Sequence, residues 1–431
     1  MLSSFRKAPG ATHPCGGSSV TARRQAVHRQ AVRLLPLALA GSLPYTGPAM
    51  AAQIYYQPNF SLSTNYNSNI DLSQTNRNSA EGYFADASTL VGIATPRSET
   101  TLMPRLLYNY YPTESGFNRL EGFMNLNSRY SWRTTRLNLT GFYDHRIDLN
   151  AETPSAEFNP VNPGIGNAPE TTGQIAKDVT RDYLILDPTI THNLTPLSSI
   201  GVGAEYQRLS FSTTDSGHIG FNYYLARAFF SHTFTPRLDG SMNVFAAHYI
   251  ATGIDSHSNA GGAALNMGYN WSPVLRSTAS VTFQRTKLIE TSPGDIDQTS
   301  NTYGATFETV YSQAASSYRL AIGRSIAPSG SGGLYVTNQA RAAYERDITQ
   351  RLNASAAVRV FRTRTVSGAS GDDTRDYATA TLRAQWMVTR TIYVAGSYTY
   401  VWQKYRVDPL GAADTNVANF QIGYRGLQRQ R

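Results

Sequence analysis

Apolar and polar positions alternate along most of this chain, and the last fifty residues show it most plainly. From Ala378 to Trp386 the even positions read Ala, Ala, Leu, Ala, Trp, against Thr379, Thr381, Arg383 and Gln385. After a short break at Met387–Arg390, Ile392, Val394, Gly396, Tyr398, Tyr400 and Trp402 oppose Ala395, Ser397, Thr399 and Gln403. A last run sets Ala418, Phe420, Ile422 and Tyr424 against Asn419, Gln421 and Gly423. Strict period two means strands, because successive side chains leave opposite faces of a pleated chain. The polar face is too hydrophilic for a sandwich core, and the apolar face ends in aromatic residues. Lipid outside, water inside and aromatic girdles at two interfaces produce this pattern.

The same parity recurs upstream. Ile200, Val202, Ala204 and Tyr206 oppose Gly201, Gly203, Glu205 and Gln207, and Leu352, Ala354, Ala356, Val358 and Val360 oppose Asn353, Ser355 and Arg359. A unit of about forty residues repeats from residue 52: strand, short turn, strand, longer loop. Short turns fall near 96, 134, 195, 235, 274, 314, 349 and 389, as in His192-Asn193-Leu194-Thr195-Pro196 or Trp271-Ser272-Pro273. An aromatic or His closes one strand, Thr or Ser with Pro turns it, and Arg opens the next; Pro belongs where no ladder bond is needed. A soluble propeller has a similar period, but its blades do not alternate short turns with long loops. The pattern predicts an all-β, up-and-down antiparallel transmembrane barrel of sixteen to eighteen strands, in the outer membrane of a Gram-negative bacterium. Counting from Ile54 to Tyr424 gives eighteen, an even number that sets both termini in the periplasm around a lumen wide enough for water.

Composition changes the picture at the start of the chain. Residues 1–51 carry Arg6, Lys7, Arg23, Arg24, Arg29 and Arg33 with no acid, then Leu34–Ala40 and Ala49-Met50-Ala51. A basic stretch, a short apolar run and an A-x-A site predict a signal peptide over 1–51, with the barrel over 52–431. The apolar run falls short of the ~20 residues of a membrane helix. The formal charge of +9 comes from 38 basic and 29 acidic residues; without the leader's six it is 32 against 29, or +3. The basic balance therefore implies no nucleic acid partner. The sole cysteine, Cys15, falls in the leader, which removes thiol catalysis and Cys-ligated zinc from the mature chain.

Catalytic chemistry is thin. His192 and His232 occupy turn slots that Trp fills elsewhere, His145 and His248 fall near outer strand ends, and His218 and His257 read as loop residues. No HExxH, GxSxG or carboxylate cluster occurs, so no catalytic residue, cofactor or metal site is assigned. Enzymes exist among such barrels, and an assay on lipid and peptide substrates separates that class. Ser329–Gly333 resembles a phosphate loop but no helix follows, so it reads as an external turn. Asp295 with Asp297, or Asp372 with Asp373, read as solvated loop acids rather than a cation site. The longest loop, Ile147–Val179, is either a constriction folded into the pore or a surface loop.

Parity also assigns the lumen. If the apolar face looks outward, Arg227, Arg319, Arg341, Arg359 and Arg383 look inward, four of them on strands thirteen to sixteen. The inward acids Asp144, Asp187 and Glu205 fall on strands five to seven, with Glu308 apart from them. Two opposed walls of charge would set a transverse field and selectivity, and the arginines would bind sugar carboxylates. Alternatively the arginines only pair with neighbouring acids and keep the lumen wet.

Phe60-Ser61-Leu62-Ser63-Thr64-Asn65-Tyr66-Asn67-Ser68-Asn69-Ile70, an aromatic strand running into a Tyr-x-x-Asn loop, and the Arg/Tyr-rich hairpins that follow resemble the type-2 beta-barrel porin family of proteobacterial outer membranes. The resemblance covers residues 52–424 and implies a barrel often associated with exopolysaccharide or capsule export. The function expected on that basis is a porin-like channel serving as the exit pore of such a pathway. A general solute porin, or a plugged structural or adhesive barrel, is the alternative. The implied partners are outer-membrane lipid and lipopolysaccharide, the barrel assembly machinery, and polysaccharide or periplasmic export components.

Overall fold

The computed structural model describes residues 52–147, 179–212, 219–253, 255–290, 296–328, 334–365, 374–405, 411–427 and 429–430. Residues 1–51, read from the sequence as a signal peptide, the 148–178 loop, His218, Asp295, Ser329–Gly333 and Asp372–Asp373 lie outside these residues.

The barrel is closed by eighteen long strands in an unbroken antiparallel meander. The first nine are β1 (Gln53–Asn67), β2 (Ala80–Ala94), β3 (Ser98–Tyr110), β4 (Arg119–Ser131), β5 (Thr135–Ile147), β6 (Thr180–Asn193), β7 (Ser198–Phe211), β8 (Gly220–Thr235) and β9 (Leu238–Thr252). The second nine are β10 (Ser256–Ser272), β11 (Leu275–Glu290), β12 (Ile296–Gln313), β13 (Ser316–Pro328), β14 (Leu334–Asp347), β15 (Leu352–Thr365), β16 (Arg375–Met387), β17 (Ile392–Tyr405) and β18 (Ala412–Arg425). Each strand pairs with its sequence neighbours, and β18 closes on β1 from Asn59↔Arg425 to Asn67↔Val417. Closure removes every free edge, the condition for crossing a bilayer with strands. Among the described residues no helix is long and apolar enough to cross a membrane.

Pairing carries one parity around the whole wall. Leu62, Ala85, Tyr108, Leu120, Tyr143, Leu184, Tyr206, Tyr224 and Met242 face outward, and so do their partners across each ladder. Large apolar side chains such as Leu265 (58% exposed) and Leu382 (60% exposed) therefore stand on the surface, where lipid rather than water covers them. At the short-turn end, aromatic contacts include Tyr130–Trp132 at 4.5 Å, Tyr269–Trp271 at 4.7 Å and Tyr318–Tyr344 at 4.5 Å. Toward the other end Tyr206–Tyr224 meet at 5.2 Å. These are the two interfacial girdles. His232 sits among them, 4.8 Å from the Phe234 ring, while Ser198 Oγ lies 2.8 Å from its Nδ1. His257, read from the sequence as a loop residue, is instead inside β10, opposite Ile250. Gly253, just after β9, takes φ +93°, a left-handed conformation that glycine adopts without strain.

All eight short turns lie on one side of the barrel and the long loops on the other, which sets the turns in the periplasm. Their recurring threonine has a mechanical role. The Oγ1 of Thr95, Thr195, Thr235, Thr349 and Thr389 accepts the amide N–H three residues on, at 2.9–3.0 Å. Such a bond mimics a backbone turn and satisfies a donor that the ladder cannot reach. Thr195→Val should lower unfolding stability by about 1 kcal/mol, read as a shift of the urea midpoint at constant slope.

The final closure is interrupted where Pro58 of β1 lacks an N–H. There Gly426 donates to the Pro58 carbonyl at 2.7 Å, and a Cβ on Gly426 would lie 2.7 Å from that oxygen. Pairing then resumes in a two-residue segment, β19 (Arg429–Gln430), against Tyr55 and Tyr56.

Candidate functional site

The lumen wall carries the chemistry. Four consecutive strands each turn one arginine inward: Arg319 on β13, Arg341 on β14, Arg359 on β15 and Arg383 on β16. Arg341 and Arg359 sit at mid-strand and are direct cross-strand partners; Arg319 and Arg383 stand nearer the periplasmic ends. Like charges at directly opposed positions are destabilising, so this register is not one that stability alone selects.

Arg319, Arg341 and Arg383 have few partners among the described residues. Arg341 makes no hydrogen bond or ion pair among the described residues. Arg383 donates to the side-chain Oε1 atoms of Gln385 and Gln421 at 3.2 and 3.4 Å, and both partners are neutral. Arg319 stands 3.8 Å from Glu308, with both side chains about half exposed. Arg359 lies over the Phe361 ring at 4.9 Å. A fifth arginine extends the series outward: Arg375, at the start of β16, is buried, stacks 5.1 Å over Tyr377 and donates to Gln403 Oε1 at 2.6 Å. The alternation that starts at Ala378 points to it: the parity of Thr379, Thr381 and Arg383, carried back four residues from Thr379, reaches Arg375.

The acidic side is built differently. Asp144 on β5 is fully buried and receives Arg181 of β6 at 2.9 Å, with Arg146 at 3.4 Å. Arg227 on β8 donates to Asp187 of β6 at 2.6 and 2.8 Å and lies 3.8 Å from Glu205 of β7. Three carboxylates thus meet three arginines on the same arc. Each of these acids has a guanidinium beside it, which weakens any transverse field that they would set. Next to them, Tyr183, Leu209, Phe221, Tyr249 and Ala251 form an inward apolar cluster. A polar recess of about 570 Å³, lined by residues that include Ser199, Ser231, Asn266 and Thr278, occupies the periplasmic half of β7–β11.

The loop between β1 and β2 enters the lumen. Leu72 packs on Phe361, Tyr377, Val401 and Ala413, which all face inward from β15–β18. Asn69, fully buried, donates to the carbonyls of Ser73 and Asp414 at 2.8 and 3.1 Å, and its backbone N–H reaches Thr415 Oγ1. Gln403 ties this loop to the arginines, donating to Leu72 O at 3.5 Å while accepting from Arg375. Leu72 holds φ +46°, a region that costs a side chain about 1–3 kcal/mol, so wall packing must hold it there. Ile70 and Leu72 are apolar residues in an otherwise polar loop, the one hint the sequence carries. Leu72→Asp should release the loop and raise single-channel conductance in planar bilayers; unchanged conductance would place this loop outside the conducting path.

Among the described residues no group of His, Cys, Asp and Glu could hold a metal ion. No family model matches the chain and no curated relative does. Solved structures similar to it include Acinetobacter baumannii OccAB4, at TM-score 0.46 and 12% identity over 89% of this chain and 99% of that one. Pseudomonas aeruginosa OpdK with vanillate aligns at TM-score 0.44 and 9% identity, over 87% and 99% of the two chains. Pseudomonas aeruginosa OccK2 (OpdF) in complex with glucuronate aligns at TM-score 0.44 and 9% identity, over 87% and 98%.

Proposed function

We propose that this chain is an outer-membrane diffusion channel for small anionic solutes. The observation that carries the reading is the run of inward arginines on four adjacent strands, centred on the Arg341–Arg359 cross-strand pair. A guanidinium remains charged at any physiological pH and offers a fork of donors that matches carboxylate or phosphate. Spaced along the wall, such forks pass an anion from one weak site to the next, as conduction requires. The expected role in polysaccharide export finds no feature of the wall that favours it, and the general solute porin replaces it.

A second reading, a barrel closed by its own loops, is supported by the inward fold of the β1–β2 loop. Recordings of the purified chain in planar bilayers separate the two. Discrete steps with a reversal potential of anion-selective sign in a KCl gradient are expected. Absence of steps supports the closed barrel.

A further inference from the structure

We propose that the membrane face of β12–β17 holds a phosphorylated, acylated lipid of the outer leaflet, its phosphate on Arg324 and Arg362 and an acyl chain in the groove below them. The inference rests on residues that face away from the lumen, so it stands apart from the transport reading.

Two adjacent outward rows carry it. Following the ladders across the strands, one row reads Ala305, Arg324, Asn338, Arg362, Asp376, Lys404. One outward step toward the periplasm, the next reads Phe307, Ile322, Ala340, Val360, Ala378, Trp402. From Ile322 on, the lower row alternates large and small, and the small residues continue downward on β14. β14 presents Ala340 and Ala342 between Ile322 and Leu320 of β13 and Val360 and Val358 of β15. Small side chains on one strand between branched ones on its neighbours leave a trough along the strand. Above this trough a cavity of about 910 Å³ spans the two rows, with Ala305, Ala340 and Ala378 among its lining and Arg324 and Arg362 at its rim.

The rim is cationic, and Arg324 is its least engaged member. Arg324 lies over the outward Tyr303 ring at 4.6 Å and donates only its Nε, to Tyr303 O at 3.0 Å. That contact fixes the guanidinium while leaving its terminal nitrogens without a protein acceptor among the described residues. Arg362 pairs with Asp376. Arg285, Arg364 and Lys404 extend the same outward face and make no ion pair among the described residues. Lys287 is matched by Asp297 at 3.0 Å. Toward the outer end of β2 and β6 the outward wall instead shows Glu81 and Asp182. Cations thus gather on one arc of the rim, above its apolar trough. An arginine facing lipid is costly at midplane and cheap at the interface, where it can take a phosphate bidentately. Charge above and a chain-wide trough below match one occupant, a lipid with an anionic phosphate head and saturated tails.

The test uses the full chain in detergent, titrated with a diphosphorylated hexa-acyl glucosamine disaccharide and read by native mass spectrometry. A one-to-one adduct is expected. Arg324→Gln with Arg362→Gln should weaken it about tenfold, the loss of roughly one strong contact. Ala340→Phe with Ala342→Phe should weaken it independently by filling the trough, while Arg208→Gln on β7 should leave it unchanged. Heat-modifiable gel mobility reports whether each variant is folded. Binding by the arginine or trough variants as tight as that of the unsubstituted chain would overturn the proposal. So would full competition by millimolar inorganic phosphate, which would mark a bare anion site. A dimer of this chain that the trough variant dissociates, with lipid binding intact, would overturn it in favour of a second copy.

Discussion

Replacing Arg319, Arg341, Arg359 and Arg383 together with serine should abolish the anion preference of the pore. Each guanidinium within about 4 Å of a permeating anion in a water-filled lumen contributes on the order of 1 kcal/mol. Losing two such contacts at the narrowest approach changes the anion-to-cation permeability ratio by roughly 5- to 30-fold. The reversal potential in a salt gradient reads this directly. The effect should shrink as ionic strength rises from 0.1 to 1 M, because the screening length falls from about 10 to about 3 Å. Stability should move the other way. The substitutions relieve the Arg341–Arg359 repulsion, so the denaturant midpoint should hold or rise. An unchanged permeability ratio would show that these arginines serve only to keep the lumen wet.

Asp144→Ala should be the most damaging single change in the described wall. Its carboxylate is 0% exposed and meets Arg181, itself 1% exposed, at 2.9 Å, with Arg146 at 3.4 Å. Removing the acid breaks this buried ion pair, a loss of about 3–5 kcal/mol. Urea unfolding should show it as a large fall in midpoint, and heat-modifiable mobility as loss of the folded band. Glu308→Gln provides the contrast. That pair spans 3.8 Å with both side chains about half exposed, so the change should stay within about 1 kcal/mol. Equal effects from the two variants would mean that burial does not set the strength of these pairs.

Strand number, parity and turn positions were legible in the sequence because they are local. Period two is a property of one strand read alone, and Thr195 or Thr389 turns the chain through bonds to residues three positions away. The inward direction of Arg319, Arg341, Arg359 and Arg383 follows from the same alternation. Only the tertiary structure decided what those side chains meet. Arg181 reaches Asp144 across 37 residues and Arg227 reaches Asp187 across 40, contacts set by the register between strands. Register depends on loop geometry and on which residues share a ladder, and period two is silent about it. The same holds for the Arg341–Arg359 pairing and for the outward row that joins Arg324 to Lys404 over five strands. The β1–β2 loop is the extreme case. Its inward course is fixed by Leu72 packing on four strands more than 280 residues later in the chain, through contacts that no local pattern encodes.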